Sequence, residues 1–360
     1  MTKKILTAVV VVGLAVLLGA SSTPQLGDGD NLVLKFIKEN PDKTAIKLVR
    51  NDTTLAAQNV DKMMPLASTV KIIVAIEYAE QAAHGLIDPD EQISLAELAQ
   101  FYVPNTDGGA HPAWLNKVQD VIEEDAIPIR EIAKGMITFS SNANTEWLLE
   151  KLGLDNVNNR LDSLGVKDHS PIYHLVSALF VGKEVFPQLT GEELAKRLEN
   201  LPIEEYRQAT EIIHQKLKTD STYKQEIGYL GLDVQRVWSD NLPNSTVQEY
   251  VGIMEKINSR SYFSPKAQEY LNEVMEFVME NPANQEWLEH SGMKGGSTAF
   301  VLTKALYATD KEGNTTELAY FINDVSFFVN ASLQMSMNEF ELKVLSDAAF
   351  RQLVQEELGQ

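Results

Sequence analysis

The spacing of apolar and polar positions divides the chain into strand-like ends and a helical middle. Thr44–Arg50 alternates with period two, Asn51 and Asp52 supply turn residues, and the stretch from Thr54 to Gln58 is extended again, which predicts a hairpin. From Ser68 to about Ala83 the pattern is helical but apolar on several sides, through Val70, Ile72, Ile73, Val74, Ile76 and Tyr78. Such a helix belongs in the middle of a domain, and its β-branched residues depend on tertiary packing. Gly85 suits its C-cap.

Residues 90–285 read as helices joined by polar turns, best defined near 129–138, 144–152, 191–218, 245–258 and 266–280, with Gly108, Gly109 and Pro112 marking a loop. Extended stretches return at Trp287–Lys294, Phe300–Thr309 and Thr316–Ile322, with Asp310-Lys311-Glu312-Gly313-Asn314 as a hairpin turn. An amphipathic helix runs from about Asn338 to Leu358. The expected fold class is therefore α+β: one antiparallel sheet from both termini, flanked by helices, with an inserted all-helical lobe. The expected division is residues 23–67 and 286–360 for the sheet-bearing lobe and 68–285 for the helical lobe, with a helical insertion near 170–240. Ligand sites favour the cleft between such lobes.

Charge and the N-terminus narrow the function. The net charge of −20 repels nucleic acid and anionic membrane surfaces, so neither is expected as a partner. Lys3 and Lys4 precede an apolar run from Ile5 to Leu18, followed by Gly19-Ala20-Ser21-Ser22. That order fits a secretory signal peptide over residues 1–22, with an uncleaved membrane anchor as the alternative, although the run is shorter than the ~20 residues of a comfortable span. The chain has no cysteine, which excludes disulfides and thiolate metal sites. A domain this large buries enough core to do without them. The expected form is an exported monomer.

Candidate chemistry begins at Ser68-Thr69-Val70-Lys71, a Ser-x-x-Lys at the start of the apolar helix. Residues three apart share a helix face, so the amine can approach the hydroxyl. Desolvation beside a buried helix favours a neutral lysine, which is a usable base. The pair alone is weak: about one such match is expected by chance, and Ser221-Thr222-Tyr223-Lys224 is a second, in a polar setting. Ser140-Ser141-Asn142 falls at a break before the next helix and offers a hydroxyl and an amide. Lys294-Gly295-Gly296-Ser297 ends a strand, with a cation for an anionic substrate group and glycines that permit close backbone approach. Ser239-Asp240-Asn241 imitates the second motif but lacks the helix-break context. Six histidines with no His-Glu-x-x-His give no expectation of a metal site or other cofactor.

These motifs in this order resemble the penicillin-recognising serine enzymes, class A β-lactamases and D-Ala-D-Ala peptidases. The contexts Met64-Pro-Leu-Ala-Ser-Thr-Val-Lys71 and Met136-Ile-Thr-Phe-Ser-Ser-Asn142 are similar as well. The resemblance covers most of the chain but is weak from about 170 to 240. It implies that Lys71, directly or through Ser140, activates Ser68 to attack an amide or β-lactam carbonyl. Ser140 would return the proton, the backbone of Ser68 and Ser297 would hold the oxyanion, and Asn142, Lys294, Gly295 and Gly296 would position substrate. Tyr102 would wall the cleft.

Three departures from the family pattern stand out. Gly295 takes the place of a hydroxyl residue, for which Ser297 or Thr298 could substitute. Ser141 stands in place of aspartate. The Glu-x-x-Leu-Asn that activates the deacylating water in class A enzymes is missing, leaving His169, His174 and Glu226 as candidates by residue type. A β-lactam hydrolase is thus the first expectation. A D-Ala-D-Ala carboxypeptidase or esterase, or a penicillin-binding sensor that deacylates slowly, is the alternative.

Overall fold

The computed structural model describes residues 31–226 and 230–359, apart from the side chains of Gln225 and Glu226. The expected signal segment, residues 1–22, lies outside the described residues. Among the described residues nine strands form: β1 (Thr44–Arg50), β2 (Thr53–Gln58), β3 (Met64–Pro65), β4 (Gln92–Ser94), β5 (Ala126–Pro128), β6 (Asn244–Ser245), β7 (Leu288–Ser297), β8 (Leu302–Asp310) and β9 (Thr315–Ile322). Five of them make one antiparallel sheet in the order β2-β1-β9-β8-β7, so the two ends of the chain meet at the β1–β9 pair. The α+β fold class is as the sequence pattern predicts.

Period-two alternation gives this sheet two apolar faces. Ile46, Leu48, Leu306, Leu318 and Tyr320 face the terminal helices Leu32–Glu39, Phe327–Ser346 and Ala348–Leu358, where Val33, Ile37, Phe340 and Val354 complete a core. Ala45, Ala305, Tyr307, Ala319 and Phe321 face the other way, into a larger core shared with the helical region. At its centre runs the Lys71–Ala83 helix, buried at all but its last turns. It ends as Gly85 suggests, with Gly85 at φ 69° and Leu86 N donating to Gln81 O.

Two predicted helices are divided. The stretch 191–218 forms Gly191–Glu199 and Ile203–Thr219, separated at Asn200-Leu201-Pro202; a residue before proline is driven from helical geometry. The last helix is two helices, the first beginning eleven residues before Asn338, where the Ser326 side chain caps Val329 N. Among the described residues, no helix is long and apolar enough to cross a membrane.

Candidate active site

The nucleophile turn is built where the edge strand β7 presses on the start of the central helix. Ser68 sits in a single 3-10 turn, Ala67–Val70, that runs directly into Lys71–Ala83. Ala67 holds φ 46°, a left-handed conformation that costs a non-glycine residue about 1–2 kcal/mol. A Cβ added at Gly296 would lie 2.5 Å from Ser68 N, 2.7 Å from Leu66 O and 2.8 Å from Thr303 Oγ1. Glycine is therefore required for the strand to lie this close. Thr303 Oγ1 donates to Leu66 O at 2.7 Å and so accepts from Thr69 Oγ1, also at 2.7 Å. Those bonds pin the turn to β8.

The second motif arrives from the helical side. Ser140 lies between the helices Ile129–Thr138 and Asn142–Leu152, again at positive φ, 66°. Ser141 caps the second helix: its Oγ accepts from Asn144 N, donates to Asn144 Oδ1 and lies 2.9 Å from His111 Nδ1. A neutral contact to His111 thus fills the place where the family has aspartate. Strain at Ala67 and Ser140 clusters at one site, as it does in active sites generally.

Lys71 is fully buried and joins the two motifs. Its Nζ donates to Ser140 O at 2.7 Å and Asn142 Oδ1 at 2.8 Å, and lies 3.1 Å from Ser140 Oγ. Burial pulls its pKa down to about 7, opposed by the charge of Asp107. In the neutral amine, the two N–H groups satisfy the two carbonyl-type oxygens. The lone pair is then left for the Ser140 hydroxyl. Of the two proton routes open in the sequence, this geometry favours the one through Ser140.

Lys294 is buried beside this group and donates to Gly295 O at 2.9 Å. Burial, then the charges of Lys71 and Lys304, hold its pKa well below the usual lysine value. An anionic substrate group would supply the countercharge it lacks. Lys304, on β8 opposite Gly295, adds a third lysine; it is 3.2 Å from Glu341 Oε2 and 3.4 Å from Met293 Sδ. A Cβ at residue 295 would meet the Lys304 side chain at 3.4 Å, so Lys304 fills space beside the missing hydroxyl.

A cleft of about 420 Å³ opens over these groups and is lined by Ser68, Ser140, Asn142, Lys294, Gly295, Gly296 and Ser297. The structure thus brings together every predicted site residue except Tyr102, with Lys71 buried beneath. Tyr102 stacks on His111 instead, at 4.8 Å between ring centroids, and Thr106 and Asp107 line the cleft there. The Thr298 hydroxyl is taken up locally, accepting from Phe300 N and Val301 N and, because Ser239 gives its own proton to Gln235 O, donating to Ser239 Oγ, so of the two proposed substitutes only Ser297 keeps its hydroxyl available to the cleft. Both decoys are structural: Ser239 is buried within a helix and donates to Gln235 O, and Ser221 is exposed in a turn.

Neither histidine named as a possible water activator lines the cleft. His169 Nδ1 lies 2.6 Å from Ser170 O, and burial lowers its pKa to about 4. His174 is buried among other groups, and the Glu226 side chain lies outside the described residues. From the segment 168–180 the residue that lines the cleft is Leu175. The sequence also gave no expectation of a metal site, yet Glu146, His174 and His214 converge within the helical region.

A serine held in a strained turn at the cleft, near a buried amine and hydrogen-bond donors, defines a serine acyl-transfer enzyme. The sequence profile of the Beta-lactamase enzyme family matches residues 32–282, and the chain belongs to that family. Membership indicates a serine hydrolase acting on β-lactams. Among solved structures, the fold is similar to a class A β-lactamase from Bacteroides cellulosilyticus, at 17% identity and TM-score 0.51, covering 91% of this chain and 97% of that one. A β-lactamase from Sphaerobacter thermophilus is similar at 16% identity and TM-score 0.54, covering 87% and 95%. The chromosome-encoded β-lactamase of Vibrio parahaemolyticus is similar at 12% identity and TM-score 0.54, covering 88% and 99%. No curated protein matches the sequence.

Proposed function

We propose that this protein is an exported, monomeric hydrolase that opens β-lactams through an ester to Ser68. The observation that carries the reading is the contact of the buried, readily neutralised Lys71 with Ser140, beside Ser68. In the cycle, the Ser68 proton passes through Ser140 to Lys71 as Ser68 Oγ attacks the carbonyl carbon. Backbone N–H groups of Ser68 and Ser297 hold the oxyanion, an interaction worth about 10²–10³-fold in rate per donor. On collapse the C–N bond breaks, and Lys71 returns the proton through Ser140 to the leaving nitrogen. Lys294 and Asn142 orient the substrate's anionic and amide groups. Water then cleaves the ester and regenerates Ser68.

A second reading rests on Leu175. Where a deacylating enzyme needs a base, the cleft wall presents an aliphatic side chain, which favours slow release, as in a D-Ala-D-Ala peptidase or penicillin-binding sensor. Residues 23–360 mixed with a chromogenic cephalosporin and a fluorescent penicillin separate the two. Continuous turnover supports the hydrolase and persistent labelling the slow-release protein. Neither signal, with Ser68→Ala equal to wild type on esters, overturns both.

A further inference from the structure

Away from the cleft, Glu146, His174 and His214 are buried against one another. Glu146 Oε1 lies 3.2 Å from His214 Nδ1 and 3.6 Å from His174 Nδ1. These values bracket the separation of about 3.3 Å between ligand atoms around a tetrahedral zinc with bonds of about 2.0–2.1 Å. His174 Nδ1 is a buried nitrogen with no hydrogen-bond partner, and it faces that same carboxylate oxygen. We propose that Glu146, His174 and His214 bind one divalent transition-metal ion, zinc by the chemistry of its donors.

The surroundings fit a cation. Ligating histidines characteristically turn their second ring nitrogen to a carboxylate, which fixes the tautomer and strengthens the ligand. Here His214 Nε2 is 3.0 Å from Glu150 Oε2 and His174 Nε2 is 3.7 Å from Glu211 Oε2. With both Nε2 atoms protonated toward those acids, both Nδ1 lone pairs lie on the side of the Glu146 carboxylate. Lone pairs and a carboxylate repel unless a cation stands between them. Imidazole and carboxylate donors suit zinc among common ions. Glu211 is half exposed and gives the site an edge at the surface.

The ion would tie three separate parts of the helical region together: the helix Asn142–Leu152, the segment around His174, and the helix Ile203–Thr219. Glu146 already accepts from Val176 N at 2.9 Å and Ser177 Oγ at 2.6 Å. It stands one helical turn from Asn142, and His174 adjoins the cleft residue Leu175. The role is structural, holding the cleft wall against the helix that carries the second motif. One adjustment is required. The two imidazoles are stacked at 3.6 Å, 14° from parallel, so an ion in both ring planes needs one ring to turn.

The test uses untagged, chelator-stripped protein titrated with Zn²⁺ by calorimetry and with Co²⁺ by visible absorption. One equivalent is expected, with the intense Co²⁺ bands of a four-coordinate site and a thermal midpoint that rises with Zn²⁺. Glu211→Gln should weaken binding about 10-fold, His214→Gln should abolish the single site, and the exposed His84→Ala and Ser68→Ala should leave it unchanged. Absence of a stoichiometric site in the wild type overturns the proposal. So do weak six-coordinate Co²⁺ bands, or a titration unaltered in His214→Gln. If His214→Gln does not fold, the wild-type Co²⁺ spectrum and the Glu211→Gln titration decide. Because the readout is metal binding, it is independent of whether the β-lactam reading holds.

Discussion

The nucleophile corner and the cleft wall from 168 to 180 stand across the same cleft, yet they are built to different ends. At the corner, polar groups converge: two strained residues, a glycine contact and three lysines surround Ser68. On the wall, polar groups turn away. His169 pairs with the backbone carbonyl of Ser170, His174 joins Glu146 and His214, and Leu175 is left at the cleft. The difference teaches that forming an acyl-enzyme and releasing it are separable demands on a fold. Both use the oxyanion donors of the corner, but release also needs a base for the attacking water, and the wall presents Leu175 there.

The largest effect should come from breaking the corner. Ser68→Ala is expected to lower β-lactam turnover by at least about 10³-fold and abolish covalent labelling, as read by stopped-flow absorbance and gel fluorescence. Lys71→Met should slow acylation by about 10²–10⁴-fold. Its pH profile sharpens the same point. The amine works only when neutral, so wild-type acylation should rise as pH increases through about 7, and the rise should vanish in the variant.

Changing the wall tests the other half. Leu175→Glu places a carboxylate at the cleft and should speed release of the acyl group about 10-fold or more, with acylation little changed, by single-turnover kinetics. An equal effect on both steps would erase the distinction between the two regions. Gly296→Ala returns to the corner with a smaller change. The added methyl meets Ser68 N and Leu66 O, which should cost about 1–3 kcal/mol in stability and slow acylation up to about 10²-fold through misplacement. Ser239→Ala, at the literal match to the second motif, should leave kinetics unchanged. It should lower stability by about 0.5–1.5 kcal/mol for its lost hydrogen bonds.

The sheet was legible because its strands alternate cleanly, and the three motifs because each is contiguous. Helix ends were harder. The exposed Phe328 and Met335 interrupt the apolar stripe of the helix that begins at Phe327, and only the cap at Ser326 marks its start. Site residues fixed by packing rather than by motif were also hidden. Lys304 reaches the cleft only because β8 pairs with β7, and Tyr102 yields its place to Asp107 because a histidine offers it a ring to stack on. Glu146, His174 and His214 are separated by 28 and 40 residues of chain, and no local pattern connects them.

The most direct test of the acyl-enzyme is the intact mass of the protein during reaction with benzylpenicillin, followed by peptide mapping of the quenched mixture. A single adduct of the penicillin mass on Ser68, absent from Ser68→Ala, is the predicted result. Penicillin hydrolysis without an adduct under rapid quench, or an adduct on another residue, would contradict it.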